Sequence, residues 1–351
     1  MQPEITAVSV AFLATLVATI PVRRLALYVG LVDKPGPRKV HVIPIPLLGG
    51  LAIYIGVILA VMLVHHGPIG QIVGILAGAT MLALVGILDD GGLLHHQIKL
   101  LMAMPIASVL LLVSGIRARV FAPLIPGPLG AILDIAFTIF WVTGITAAFS
   151  ILDHMDGLCA GVAGVAAGFF TIAAVQTGQV LVATLGAATL GAALGFLRWN
   201  FNPAKIFMGD GGAMFLGYLM ATLSLKIRPE ETPSVAKWLV PVLILGVPIF
   251  DTVLVSISRA RRGLIPFTSP GKDHTAHRLS NIGFGHRGAV LAMYALGILF
   301  GLAALWVPKL SPVQALAIAA VLSVGGLTAI AFLESAPYER QSKIHQPSPT
   351  P

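Results

Sequence analysis

The chain alternates long apolar runs with short polar connections. Eleven runs approach the ~20 residues that a membrane-spanning helix needs. They lie near residues 5–22, 46–64, 69–88, 98–114, 129–149, 157–175, 179–197, 211–227, 236–257, 288–307 and 312–333. Helix is expected for each, because lipid cannot satisfy the open edge of a sheet. Closely spaced glycines, such as Gly161, Gly164 and Gly168, predict close helix packing. No long linker and no repeat of fixed period divides the chain. The predicted fold is an all-α integral membrane protein, a polytopic bundle of about eleven transmembrane helices, with ten as the alternative count. Residues 1–335 form one domain in this reading, and 336–351 a short disordered cytoplasmic tail.

Composition supports the membrane class. Hydrophobic residues make up 57% of the 351 positions and charged residues 10%, against about 25% charged in soluble domains. The net charge of +8 sits in short connections, so it reads as membrane orientation rather than nucleic-acid binding. With the N-terminus outside, the odd connections and the tail carry 16 Lys and Arg, the even connections six. That split assigns the odd connections to the cytoplasmic side of a plasma (inner) membrane. The single cysteine, Cys159, forms no internal disulfide. The first apolar run lacks a basic leader and reads as a span rather than a signal peptide.

The acids then sort by type. Glu4, Glu230, Glu231, Glu334 and Glu339 lie at the N-terminus, in one outer loop or near the C-terminus. Asp33, Asp89, Asp90, Asp153, Asp156, Asp210 and Asp273 all fall on the odd side, and Asp251 lies toward that end of the ninth run. Asp134 is the exception. A charge among apolar spans costs roughly 2.5 kcal/mol or more, so such residues persist where they face water, a cation or a substrate. Short carboxylates gathered on one face predict a site for a cation and a phosphate.

Five segments carry candidate chemistry. The Pro- and Gly-rich connection 33–50 predicts irregular backbone lining a cavity. Its Lys39 and His41 meet an anionic ligand, or Lys39 only sets orientation. Asp89-Asp90 places like charges together, which suits a proton acceptor or nucleophile; a plain helix stop before Gly91-Gly92 is the alternative. Lys99 is a candidate phosphate contact. Asp153 and Asp156 share one face if they lie on a helical turn. In Asn200–Gly212, Phe207 and Asp210 precede a helix N-terminus, which favours anions. The basic connection 258–287 holds Asp273-His274-x-x-His277-Arg278. Without a Cys or Glu cluster it fits a diphosphate better than zinc.

Taken in order from 33 to 287, these segments resemble the polyprenyl-phosphate N-acetylhexosamine-1-phosphate transferases, the MraY/WecA-like glycosyltransferase family 4. Phe207-Met208-Gly209-Asp210 is the most specific match, supported by Leu88-Asp89-Asp90 and by Asp273-His274-x-x-His277-Arg278-Leu279. The last is closer to the WecA-like branch.

The resemblance implies transfer of an N-acetylhexosamine-1-phosphate, GlcNAc-1-phosphate foremost, from a UDP-sugar to undecaprenyl or decaprenyl phosphate. UMP is released, and the step opens cell-wall or surface polysaccharide synthesis. It implies Mg2+, with Mn2+ as a substitute, and leaves a homodimer open. By position, Asp210 binds Mg2+, Phe207 stacks on uracil and Asp156 hydrogen-bonds it. Lys99, His274, His277 and Arg278 meet the diphosphate or sugar, with Lys39 and Asn200 also on the substrate side. Asp89, Asp90 and Asp153 are the catalytic candidates.

One departure stands out. The family pattern Thr-Asn-Ala-x-Asn-x-x-Asp-Gly-x-Asp-Gly is here Thr146-Ala147-Ala148-Phe149-Ser150-Ile151-Leu152-Asp153-His154-Met155-Asp156-Gly157. Ser150 replaces an Asn that ligates Mg2+ in the family, and a hydroxyl is the poorer ligand. His154 replaces a Gly. Asp153 or water fills the metal position, or metal affinity falls. The rival readings are a secondary transporter, a CDP-alcohol phosphatidyltransferase and a catalytically weak lipid-binding relative. The second lacks its downstream Asp-x-x-x-Asp.

Overall fold

The computed structural model describes residues 2–34, 44–67, 69–94, 98–227, 234–265 and 271–338. Lys39, His41 and most of the predicted tail lie outside these residues. Thirteen helices dominate the described residues. They are α1 (Pro3–Tyr28), α2 (Gly49–Val64), α3 (Ile69–Asp90), α4 (Lys99–Val113), α5 (Pro128–Leu152), α6 (Leu158–Gln176) and α7 (Val180–Asn200). There follow α8 (Gly209–Lys226), α9 (Ser234–Ile244), α10 (Gly246–Arg261), α11 (Thr275–Leu279), α12 (Gly285–Trp306) and α13 (Pro312–Ser335).

Helix occupies each of the eleven predicted runs. Seven described helical stretches are long and apolar enough to cross a membrane, or eight if the bent pair α9–α10 is one span. Helices α2 and α4 are shorter, and α8 opens on Gly209-Asp210 and closes on Lys226. Length and apolarity thus identify an all-α membrane protein with fewer self-evident spans than the eleven expected.

The ninth run is also not one continuous helix. It bends by 74° between α9 and α10. Pro241 lies inside α9 and lacks an N–H to donate. Gly246 begins α10 beneath the Phe300 ring, where a Cβ would collide.

Helix α8 is the centre of the bundle. Residues Gly211–Leu225 are all buried, and α3, α5, α2 and α6 surround them. Small residues permit this. Gly50 of α2 and Gly86 of α3 meet the backbone of Gly212 and Gly211, leaving no room for a side chain. The periphery is apolar and outward-facing, as Val17, Met62, Phe140, Leu299 and Val321 show. In a bilayer such residues meet lipid.

The odd connections gather at one end of the bundle. A short antiparallel ribbon, β1 (Val32–Asp33) and β2 (Ile45–Pro46), follows α1 there. Phe207 N–H donates to Pro46 O at 2.8 Å, and Gly49 N–H donates to Phe207 O at 2.9 Å. The first and seventh connections are therefore joined by backbone. At the other end, Asp134 is buried and accepts N–H bonds from Val120 (2.8 Å), Phe121 (2.7 Å) and Ala122 (3.3 Å). That explains the one aspartate out of place: it closes a loop.

Candidate active site

The α3, α5 and α8 ends bring four carboxylates together. Asp90, the last residue of α3, accepts the backbone N–H of Asp210 at 2.9 Å and of Gly211 at 3.3 Å. It thus caps the N-terminus of α8, where unpaired N–H groups and the helix dipole favour an anion. Gly209 takes φ +73°, and its missing Cβ leaves room for the Asp90 carboxylate. Lys99, in the first turn of α4, donates to Asp89 Oδ2 at 2.8 Å and also pairs with Asp210 Oδ2. Ser150 Oγ donates to the other Asp210 oxygen at 2.8 Å.

Asp153 follows the last residue of α5 and makes no hydrogen bond among the described residues. Burial, then the charges of Asp210, Asp90 and Asp156, push its carboxyl up to about 8. Such crowding of negative charge favours a cation. The donor set is hard oxygen throughout: carboxylates and one hydroxyl, the chemistry Mg2+ takes. Lys99 already supplies one positive charge to the same group.

The other sequence candidates divide. Asp153 and Asp156 do not share a helical face, because the chain turns between α5 and α6. Gly157, at φ +79°, starts the new helix. Asp156 Oδ2 accepts from Asn202 Nδ2 and Ala204 N–H, both at 3.0 Å. Asn200 is buried and spans two connections: Oδ1 accepts from Gly157 N–H and Nδ2 donates to Ile206 O, both at 3.0 Å. Its amide braces the site rather than facing a ligand. Phe207 is half-buried beside the capped end of α8.

Arg278 departs furthest from expectation. It is fully buried. Its guanidinium donates to Asp273 O (2.8 Å), Leu333 O (2.7 Å) and Ser258 Oγ (2.9 Å), and pairs with Glu334 at 2.7 Å. In this conformation Arg278 fastens the end of α13 and offers nothing to a diphosphate. Asp273 is equally structural. Arg259 holds it through Nε (3.0 Å) and Nη2 (2.8 Å), and Arg262 adds a further pair. Burial raises its carboxyl, but the bonds from Arg259 and Arg262 outweigh that and hold it down at about 2.

His274 and His277 do reach the connection that carries the carboxylates. The His154 ring stacks on His274 with centroids 4.0 Å apart and lies 4.6 Å from His277. Asp251 Oδ2 lies 2.8 Å from His274 Nδ1, and Asp251 Oδ1 accepts Thr275 N–H at 2.7 Å. Sequence reasoning gave no role to Asp251 or His154. The available signal was an aspartate inside an apolar run, together with the Gly-to-His departure.

A family model described as glycosyl transferase family 4 matches residues 72–228, which include Asp89, Asp90, Ser150, Asp153 and Asp210. The chain is 36% identical over 304 residues to the probable undecaprenyl-phosphate N-acetylglucosaminyl 1-phosphate transferase of Bacillus subtilis, covering 86% of this chain and 84% of that protein. It is 33% identical over 316 residues to the decaprenyl-phosphate N-acetylglucosaminephosphotransferase of Mycobacterium tuberculosis, covering 81% and 77%. It is 30% identical over 303 residues to the undecaprenyl-phosphate alpha-N-acetylglucosaminyl 1-phosphate transferase of Yersinia pestis, covering 82% and 80%. With matches of this extent over the helices that build the carboxylate cluster, the chain belongs to glycosyl transferase family 4, among the polyprenyl-phosphate N-acetylhexosamine-1-phosphate transferases.

Proposed function

We propose that this protein transfers N-acetylglucosamine-1-phosphate from UDP-N-acetylglucosamine to a membrane polyprenyl phosphate and releases UMP. A phosphate oxygen of the lipid attacks the phosphorus that carries the sugar. The phosphoanhydride bond to UMP breaks, and UMP leaves with the bridging oxygen. Such transfers need positioning and charge stabilisation more than covalent help from the protein. The observation that carries this reading is the meeting of Asp89, Asp153, Asp210, Lys99 and Ser150 beside the capped N-terminus of α8.

Each residue then has a part. Asp210 and Asp153 are the residues to hold Mg2+, which when bound neutralises phosphate charge. Ser150 orients Asp210 through its hydroxyl. Lys99 faces the diphosphate. Asp89, held by Lys99, is the proton acceptor on the lipid side. Asp90 positions α8. Phe207 and the free oxygen of Asp156 face the uracil, and His274 and His277 the sugar or its phosphate.

The remaining reading is topological. All eleven apolar helical stretches cross the membrane as one domain, with the site on the cytoplasmic face. The odd connections and the C-terminal tail, which together carry 16 of 22 Lys and Arg, support that orientation. Carboxylates at helix ends rather than mid-span favour transfer chemistry over an ion relay.

The test is purified protein with undecaprenyl phosphate and a panel of UDP-sugars. Lipid-linked product with UDP-N-acetylglucosamine is expected. Absence of product with every donor would remove the reading.

A further inference from the structure

His154 lies in the turn between α5 and α6, its ring stacked on that of His274. Both His154 ring nitrogens are buried without a hydrogen bond among the described residues. Unsatisfied buried polar atoms call for an explanation, and a bound ion is one. The surroundings supply the rest of a donor set. One ligand atom each from His154, Asp251 and His274 lie within 4.8 Å of one another. Asp251 and His274 are buried.

We propose that His154, Asp251 and His274 form a second metal site, specific for a borderline transition-metal ion such as Zn2+ and distinct from the carboxylate cluster. Two imidazoles and one carboxylate with an open fourth position are a zinc-type set. Mg2+ prefers oxygen ligands alone, so nitrogen donors select against it. Zinc with bonds of about 2.1 Å sets tetrahedral ligand atoms roughly 3.4 Å apart, so modest side-chain rotation closes the site. His274 Nδ1 already faces Asp251 Oδ2 at 2.8 Å, so two of the three ligand atoms stand side by side. The sequence could not show this set, because its members lie in three separate segments. When filled, the site ties the α5–α6 turn to the segment before α11 and withdraws His274 from substrate.

The test uses full-length, metal-stripped protein in detergent, titrated with Co2+ in excess Mg2+. Visible ligand-field absorption of low-coordinate Co2+ should rise to one equivalent and be displaced by Zn2+. His154→Phe keeps the ring stack and removes the nitrogens. Affinity should then fall at least about tenfold, since even outer-shell changes cost that much. Asp251→Asn should weaken binding as well. No band in the wild type, a band that Mg2+ abolishes, or equal affinity in His154→Phe would each overturn the site. Because the readout is absorption on wild type and variant alike, it is independent of transferase activity.

Discussion

Asp90 accepts the backbone N–H of Asp210 at 2.9 Å, so the end of one helix caps the start of another 120 residues away. The cap aims Asp210 and fixes the register of α3 against α8. Removing it with Asp90→Ala should cost about 0.5–2 kcal/mol, the range for a lost N-cap. Asp90→Asn, whose amide oxygen still accepts, should lose less. Thermal unfolding by circular dichroism checks this; equal stability of the alanine variant and wild type would show that the cap does not hold α8.

Lys99 and a divalent cation draw on the same carboxylate. Lys99→Gln removes a positive charge beside Asp210, so the Mg2+ concentration for half-maximal rate should fall. Turnover should fall as well, because Lys99 faces the diphosphate in the proposed reading. A raised Mg2+ requirement would place Lys99 elsewhere in the mechanism.

Ser150 and Asp153 share the position that relatives fill with an Asn. Ser150 already donates to Asp210, so Ser150→Asn should change the Mg2+ requirement little. Asp153→Asn should raise it by about tenfold or more, a loss of ~1.4 kcal/mol of binding. Mg2+ titrations of the two variants separate the roles. An unchanged requirement in Asp153→Asn would assign the metal to other ligands.

Apolar runs marked where helix forms because lipid leaves the backbone no other solution. They could not mark the break at Leu245, because the Phe300 ring that leaves Gly246 no room for a side chain comes from a helix far along the chain. The cluster of Asp89, Asp153, Asp210, Lys99 and Ser150 was legible because each residue stands at the end of a run on the same side. Arg278 was misread for the opposite reason. Its partners, Leu333 and Glu334, lie at the end of α13, and nothing in a local motif places them there. Asp251 was passed over although a lone carboxylate within an apolar run is costly, and its partners come from the connection beyond α10.

The pair of Asp273 with Arg259 tests the supporting shell. Asp273→Asn leaves Arg259 buried without its counter-charge and should destabilise by roughly 3 kcal/mol or more. The sign in pH follows from the depressed carboxyl, at about 2 against about 3.9 when unfolded. The stabilisation is full above about 4 and is lost as pH falls toward 2. The gap in Tm between wild type and Asp273→Asn should therefore narrow on acidification. A gap that widens would contradict the assignment.

Orientation can be read with cysteines. Cys159 is buried and leaves the background silent. Gln176→Cys should react with an impermeant reagent from outside intact cells, and Arg261→Cys only after lysis. The reverse pattern would put the carboxylates on the wrong face for a cytoplasmic nucleotide sugar.

The most direct measurement compares wild type with Asp210→Asn in detergent, supplied with undecaprenyl phosphate, UDP-N-acetylglucosamine and Mg2+. Lipid-linked sugar-1-phosphate and UMP are both quantified. Wild type should yield the two in equal amounts and stop when Mg2+ is chelated. Asp210→Asn should unfold like wild type yet yield neither. Product from Asp210→Asn within tenfold of wild type, or UMP without lipid-linked sugar in the wild type, would contradict a polyprenyl-phosphate transferase centred on Asp210.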